Sequence, residues 1–191
     1  MKDSNIKYFM GQLLRNKGLI WDAIDYIDPE DIEQGLLIIP QNLINNNLRE
    51  IIIEKSDPYL DDYMLFFENN SIYCSLDLTI KQLGKVRGKF MLNITEFTFE
   101  REAHIIHGTY MEDVKSAGNL FQSMALKAAK LKETYLETVA SFLKLDYLRV
   151  DKDSFTIYLD KIQGFNKVPP EINLRYLGCN NEAITFEFNI E

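Results

Sequence analysis

The chain has 191 residues, 46% of them apolar and 26% charged, with 21 Lys and Arg against 29 Asp and Glu. A chain of that size buries roughly 70% of its unfolded surface and needs no disulfide or metal staple, and its composition is ordinary for a soluble globular protein. A net charge of −8 argues against general affinity for nucleic acid, which depends on cations that neutralise phosphates, so no nucleic-acid partner is expected.

The two cysteines, Cys74 and Cys179, stand far apart and form no metal-binding or redox spacing. As small buried hydrophobes with free thiols they suit a reducing compartment. Met1 to Gln12 lacks the continuous apolar core of a signal peptide, and no stretch reaches the ~18 apolar residues of a membrane span. The cytoplasm is therefore the expected location. A single domain over 1–191 is expected, with a helical part at 1–58, strands at 62–110, a long helix at 111–143 and strands again at 145–190.

Ile6, Phe9, Met10, Leu13 and Leu14 mark a short amphipathic helix closed near Lys17-Gly18. Ile20, Trp21, Ile24 and Ile27 continue on helical spacing to Asp28-Pro29. From Gly18 to Leu48 there is no Lys or Arg, while Asp22, Asp25, Asp28, Glu30, Asp31 and Glu33 all fall in that window. These acids read as a solvated helix face with capping residues, because no D-x-D-x-D-G loop supports a hard-cation site. Leu36 to Ile39 is a short apolar run stopped by Pro40. A helix starts there, with Leu43, Ile44, Leu48, Ile51 and Ile52 inward. Asp57-Pro58 ends it, since the residue before proline avoids helical dihedrals.

From Tyr63 the period changes to two. Ile72, Cys74, Leu76, Leu78 and Ile80 alternate with polar residues, the pattern of a strand with one buried face. Val86, Phe90, Leu92 and Ile94 repeat it. Phe97 and Phe99 then occupy odd positions, and a slip of one residue predicts a bulge or sharp bend near Thr95-Glu96. Ala103 to Tyr110 is a further strand.

The segment Gly84 to Phe90 resembles a phosphate-binding loop only at a glance. It has three residues between its glycines instead of four, and Phe90 stands where Ser or Thr would bind magnesium. The same stretch puts Lys85, Arg87 and Lys89, near Lys81, on one face of a strand. This basic surface patch reads as protection of an exposed edge, or as a contact with anionic headgroups at a membrane surface or with a partner. His104 and His107 are the only histidines. Three apart on a strand, they point to opposite faces and cannot share a metal.

Between Met111 and Leu143, the apolar residues Val114, Ala117, Phe121, Met124, Ala128, Leu131, Tyr135, Val139 and Phe142 follow one another in steps of three or four. That is the period of one helical face. Glu112 and Asp113 fit the first turn, where the helix dipole favours anions. About 30 residues at 1.5 Å each predict a rod of roughly 45 Å. Strands follow it at Phe155–Leu159, Ile172–Tyr176 and Ile184–Ile190, with Val168-Pro169-Pro170 as a connection.

Three ten-residue segments share one pattern: Phe67 to Leu76, Val150 to Leu159 and Cys179 to Phe188. Each has an apolar residue, then polar turn residues rich in Asn and Asp, then three apolar residues at alternate positions. Asn and Asp tolerate left-handed dihedrals, so each segment reads as a tight hairpin, and the sheet as antiparallel. The expected fold class is α+β, a strongly bent antiparallel sheet of hairpins wrapped on one long central helix, with short N-terminal helices.

The stretch Ile38-Ile39-Pro40-Gln41-Asn42-Leu43-Ile44-Asn45-Asn46-Asn47-Leu48, followed by such hairpins, a long helix and more hairpins, resembles the bacterial tubular lipid-binding superfamily, in particular the LmeA-like phospholipid-binding group. The resemblance covers roughly Leu36 to Ile190. It implies a strongly curved sheet around a long helix with lipid held between them. Many bacterial members also carry an N-terminal anchor or signal, which Met1 to Gln12 does not show.

The functional expectation is non-enzymatic binding of a lipid or other apolar small molecule between sheet and helix. The candidate lining is Leu76, Leu78, Phe90, Leu92, Met124, Ala128, Leu131, Phe155, Ile157 and Phe186. The alternative is an interaction or assembly module with a solid core, whose sheet edge or helix face joins a second copy of the chain or another protein. No catalytic residue, metal or cofactor is expected, since no triad, phosphate loop or ligand cluster stands out.

Overall fold

The computed structural model describes residues 28–80, 84–118, 134–162, 165, 168, 170–180 and 182–190. Six strands form one sheet: β2 (Leu60–Glu68), β3 (Ser71–Ile80), β4 (Gly84–Glu100), β5 (Ala103–Ser116), β6 (Leu148–Asp151) and β7 (Ser154–Tyr158), in the order β2-β3-β4-β5-β7-β6. A second sheet has three, β1 (Leu36–Pro40), β8 (Ile172–Asn180) and β9 (Ala183–Ile190), with β9 in the middle. Every pairing is antiparallel.

The three ten-residue segments are hairpins, β2–β3, β6–β7 and β8–β9. Each turns through left-handed backbone: Asn69 (φ 49°) and Asn70 (φ 62°) in the first, Lys152 (φ 49°) in the second, Glu182 (φ 61°) in the third. The sequence expectation gave that role to Asn and Asp, yet Lys and Glu take it in two of the turns. The left-handed residue falls two or three positions after the first apolar residue of each segment, whatever its type. The bulge is also present. Ile94 faces Gly108 and Glu96 faces His107, so Thr95 is the extra residue, and beyond it Phe97 and Phe99 point to the buried face.

Among the described residues the long central helix is not found. Met111 to Ser116 continue β5, paired residue by residue with Met91 back to Val86. Among the described residues the helices are short: α1 (Pro29–Glu33), α2 (Arg49–Ser56), a π-helical turn at Leu43–Asn47 before α2, and α3 (Tyr135–Leu143), nine residues long. The fold is dominated by its two sheets and is not wrapped on a rod. Met124, Ala128 and Leu131 lie outside the described residues, as do Lys81 and the helices expected before Asp28.

The physical reason lies at Glu112. On β5 the residues Tyr110, Glu112 and Val114 share the inner face, and an acid in that row hides the two-residue period. Glu112 does serve a helix N-terminus, but of a helix 23 residues further on. Its two carboxylate oxygens accept the backbone N–H groups of Tyr135 (2.8 Å) and Leu136 (2.9 Å). Thr134 and Glu137 complete the start of α3 as a reciprocal capping box, and the Tyr110 hydroxyl bonds to Thr134 Oγ1 at 2.7 Å. α3 is therefore pinned to β5 before any apolar contact is counted.

The inner face of the six-stranded sheet carries two adjoining apolar clusters. One joins Leu78, Ile80 and Val86 to Tyr135 and Val139 of α3. The other joins Phe90, Tyr110 and Phe155 to Leu92, Leu136 and Val150. A third cluster, of Ile32, Phe99, Leu159, Ile172 and Phe188, bonds the far end of this sheet to the smaller one.

Both sheets have edges that need covering. On β2 the residues at alternate positions turn their backbone polar groups outward, and three side chains one helical turn apart meet them. Gln41 accepts from Phe67 N–H (2.9 Å). Asn45 accepts from Leu65 N–H (2.8 Å) and donates to Leu65 C=O (2.7 Å). Arg49 donates to Tyr63 C=O (2.9 Å). The stretch from Gln41 to Arg49 thus stands in for a seventh strand. Asn70 does the same for β8: its N–H donates to Cys179 C=O and its side-chain oxygen accepts from Cys179 N–H, both at 3.0 Å.

Candidate functional site

Six of the expected lining residues come together. Leu76, Leu78, Phe90, Leu92, Phe155 and Ile157 all lie on the inner face and belong to the clusters described above. They pack against one another and, through Tyr135, Leu136 and Val139, against α3. Phe186 belongs to the smaller sheet, with its ring 5.2 Å from Phe97 and 5.8 Å from Tyr176. Two polar groups of this interior are shifted by burial. Burial pushes the Cys74 thiol up to about 12. Burial also raises the Tyr110 hydroxyl to about 12, against a smaller lowering by its bond to Thr134.

Lys85, Arg87 and Lys89 are exposed on one face of β4, as expected. Their reading as edge protection does not hold, because β4 is flanked by β3 and β5. They stand in the middle of a sheet, with acids on the neighbouring strands. Arg87 forks onto Asp77 of β3 at 2.6 and 2.9 Å, which holds the Asp77 carboxyl below its usual range. Lys89 lies between Ser75 and Asp113, and Asp113 pairs with Lys115 at 2.9 Å.

His104 bonds to Asp160 (2.6 Å) and His107 to Thr156 (2.9 Å). The two are separately engaged. Among the described residues no group of three His, Cys, Asp or Glu side chains could hold a metal. No described helix is long and apolar enough to cross a membrane.

Two surface features escaped the sequence reading. The first is an open groove of about 700 Å³ where the tip of the β4–β5 hairpin meets the smaller sheet, lined by Phe97, Phe99, Arg101, Glu102, Asn173 and Arg175 among others. Its lining includes both cations and carboxylates, and Arg175 is paired with Glu187.

The second is the outer face of the six-stranded sheet. The register lines up Phe66, Tyr73, Met91 and Met111 straight across β2, β3, β4 and β5. Met111 is 62% exposed, Phe66 42% and Tyr73 36%, with Met64 beside them at 53%. The Phe66 and Tyr73 rings lie 6.2 Å apart. On one side the stripe is bordered by Glu68, Ser71, Asn93 and Thr109. On the other comes the row Met64, Ser75, Lys89, Asp113, and then the row Asp62, Asp77, Arg87, Lys115. A hollow of about 90 Å³ lies between Asp62, Met64, Ser75, Asp77 and Arg87. The signal was present in the sequence: once the even positions of β3, β4 and β5 are assigned inward, Tyr73, Met91 and Met111 are apolar residues at positions that should be polar.

Comparison of the chain with protein-family models, with curated proteins and with solved structures finds no match. Nothing in those comparisons bears on the resemblance to tubular lipid-binding proteins.

Proposed function

We propose that the chain is a non-enzymatic interaction module that docks a protein on the outer face of its six-stranded sheet. One observation carries this reading: the unbroken apolar row Phe66–Tyr73–Met91–Met111 on a face that an antiparallel sheet normally gives to water. Single exposed apolar residues are common, but contiguous patches mark binding sites. Phe, Tyr and Met are the types enriched at the buried centre of protein interfaces, and the polar and charged rows on either side supply a rim. Edge pairing is disfavoured as the docking mode on β2, where Gln41, Asn45 and Arg49 already occupy the outward backbone groups. The apolar-ligand reading required a long helix over the concave face. Met111 to Ser116 lie in β5 instead, and the six inner-face residues named for that lining pack on each other and on α3.

The test is site-specific photocrosslinking in living cells, with benzoylphenylalanine placed at Phe66, at Met111 and, as a control, at the exposed turn residue Asp153. Discrete protein adducts from positions 66 and 111, absent from 153, are expected. Their absence from both outer-face positions overturns the reading.

A further inference from the structure

We infer that the protein docked on this face is a second copy of the same chain, packed face to face about a twofold axis that runs along the strands between β3 and β4. The inference rests on the docking reading above and adds the identity of the partner.

Charge order on this face is self-complementary. Across the four strands the outermost row reads Asp62, Asp77, Arg87, Lys115: acid, acid, base, base. A twofold axis along the strands keeps each row over itself and reverses the strand order. Asp62 then meets Lys115 of the second copy, and Asp77 meets Arg87 of the second copy, twice over. The apolar row is also self-complementary, with Phe66 over Met111 and Tyr73 over Met91. Lys115 of the second copy reaches the hollow beside Asp62 and Asp77. In the intervening row Lys89 faces Ser75, and Asp113, already paired with Lys115, faces Met64. An axis across the strands through the apolar row does worse, since it lays Glu68 over Met64 and takes the charged row off itself. Stacked sheets with near-aligned strands are the ordinary geometry of a sandwich, and a self-complementary patch is what a twofold interface requires.

Asp62 also takes Arg49 within its own chain, and Asp77 takes Arg87. These pairs are exposed, so sharing them with a second copy costs little in broken contacts. Four strands at about 4.8 Å and three rows at about 6.8 Å give roughly 400 Å² of flat sheet. A standard interface covers about 800 Å² per partner. The dimer is therefore a weak, reversible one.

The experiment is sedimentation velocity of the purified full chain up to about 1 mM, where interfaces in the millimolar range become visible. The wild-type chain should shift reversibly from monomer to dimer. Two variants are compared: Asp62→Lys with Asp77→Lys, which makes the outer row all basic, and Arg87→Asp with Lys115→Asp, which makes it all acidic. Each alone should self-associate at least tenfold more weakly than wild type, and their equimolar mixture should recover or exceed wild-type association. A geometric test does not depend on charge. Phe66→Cys mixed with Met111→Cys should oxidise to a linked dimer, whereas each alone should not.

A wild-type chain that stays monomeric throughout overturns the second copy. If positions 66 and 111 still crosslink in cells to a protein of another mass, the docking reading survives without it. A dimer indifferent to both charge variants, or Phe66→Cys linking to itself, overturns the arrangement. Binding of the monomer to anionic phospholipid vesicles, lost in Met111→Asp, would put a membrane on this face and overturn both readings.

Discussion

The carboxamide of Asn45 stands to Leu65 as a neighbouring strand would, accepting its N–H at 2.8 Å and donating to its carbonyl at 2.7 Å. Asn45 is 5% exposed, so both backbone groups of Leu65 depend on it. Each buried group left unmet costs about 1–3 kcal/mol. Asn45→Ala should therefore destabilise the chain by about 2–4 kcal/mol, measured as a lower urea midpoint. Asn45→Asp should be no better, because a carboxylate would face the Leu65 carbonyl. Both variants reopen an edge, and increased aggregation at high concentration is expected with them.

Two glycines on the inner face separate a soft contact from a hard one. A Cβ on Gly88 would meet the Phe90 ring edge at 2.6 Å, which a small ring rotation relieves. A Cβ on Gly108 would lie 2.4 Å from the Phe155 ring and 2.5 Å from the Asn93 carbonyl, which belongs to the neighbouring strand and cannot retreat alone. Gly108→Ala should cost about 3 kcal/mol or more, the upper range for overpacking, and Gly88→Ala clearly less. Thermal melts of the two side by side decide it.

Glu112→Ala removes both acceptors from the first turn of α3. The expected loss is about 1–2 kcal/mol, as for other helix N-terminal caps. Glu112→Gln, which keeps one acceptor oxygen, should lose about half. Amide hydrogen exchange locates the effect: protection at Leu136 should fall in Glu112→Ala while that of β4 is retained.

Stability should decline in alkali. Cys74 and Tyr110 are raised to about 12 by burial, from ordinary values of 9.0 and 10.0. Between the unfolded and folded values the folded chain binds more protons, so stability falls as pH rises through that range. The contribution is complete below pH 9 and is lost progressively toward pH 12. Urea midpoints at pH 8, 9, 10 and 11, values set by these pKa positions, should fall, and Cys74→Val should flatten the first part of the decline.

How much was legible in the sequence depended on how many neighbours a residue needs before its role is visible. The hairpins and the bulge at Thr95 were readable because a turn or a slipped period is complete within ten residues. Pro40 and Asp57-Pro58 fell at element boundaries for the same reason. The end of β5, Met111 to Ser116, was misread because Glu112 answers to Tyr135 and Leu136, 23 and 24 positions away. The three-to-four spacing that begins at Val114 then runs from a strand, through residues outside the description, into α3. The basic residues of β4 were placed on the right face but at an edge, since strand order is not written in any one strand. The outer apolar row was hidden for a related reason: Phe66, Tyr73, Met91 and Met111 become adjacent only once four strands are in register.

The middle strand of the smaller sheet is also its latest in the chain. β1 at Leu36–Pro40 has only Ala183–Glu187 to pair with, and β8 pairs only with β9. The larger sheet draws on residues 60–158 alone, so its pairings need no strand later in the chain. The smaller one closes only when β9 meets β1 from the far side of that span, and long-range closure of that kind is slow. A chain cut before Ala183 would carry β1 and β8 as two separate sticky ribbons, which makes β9 the lock on the smaller sheet.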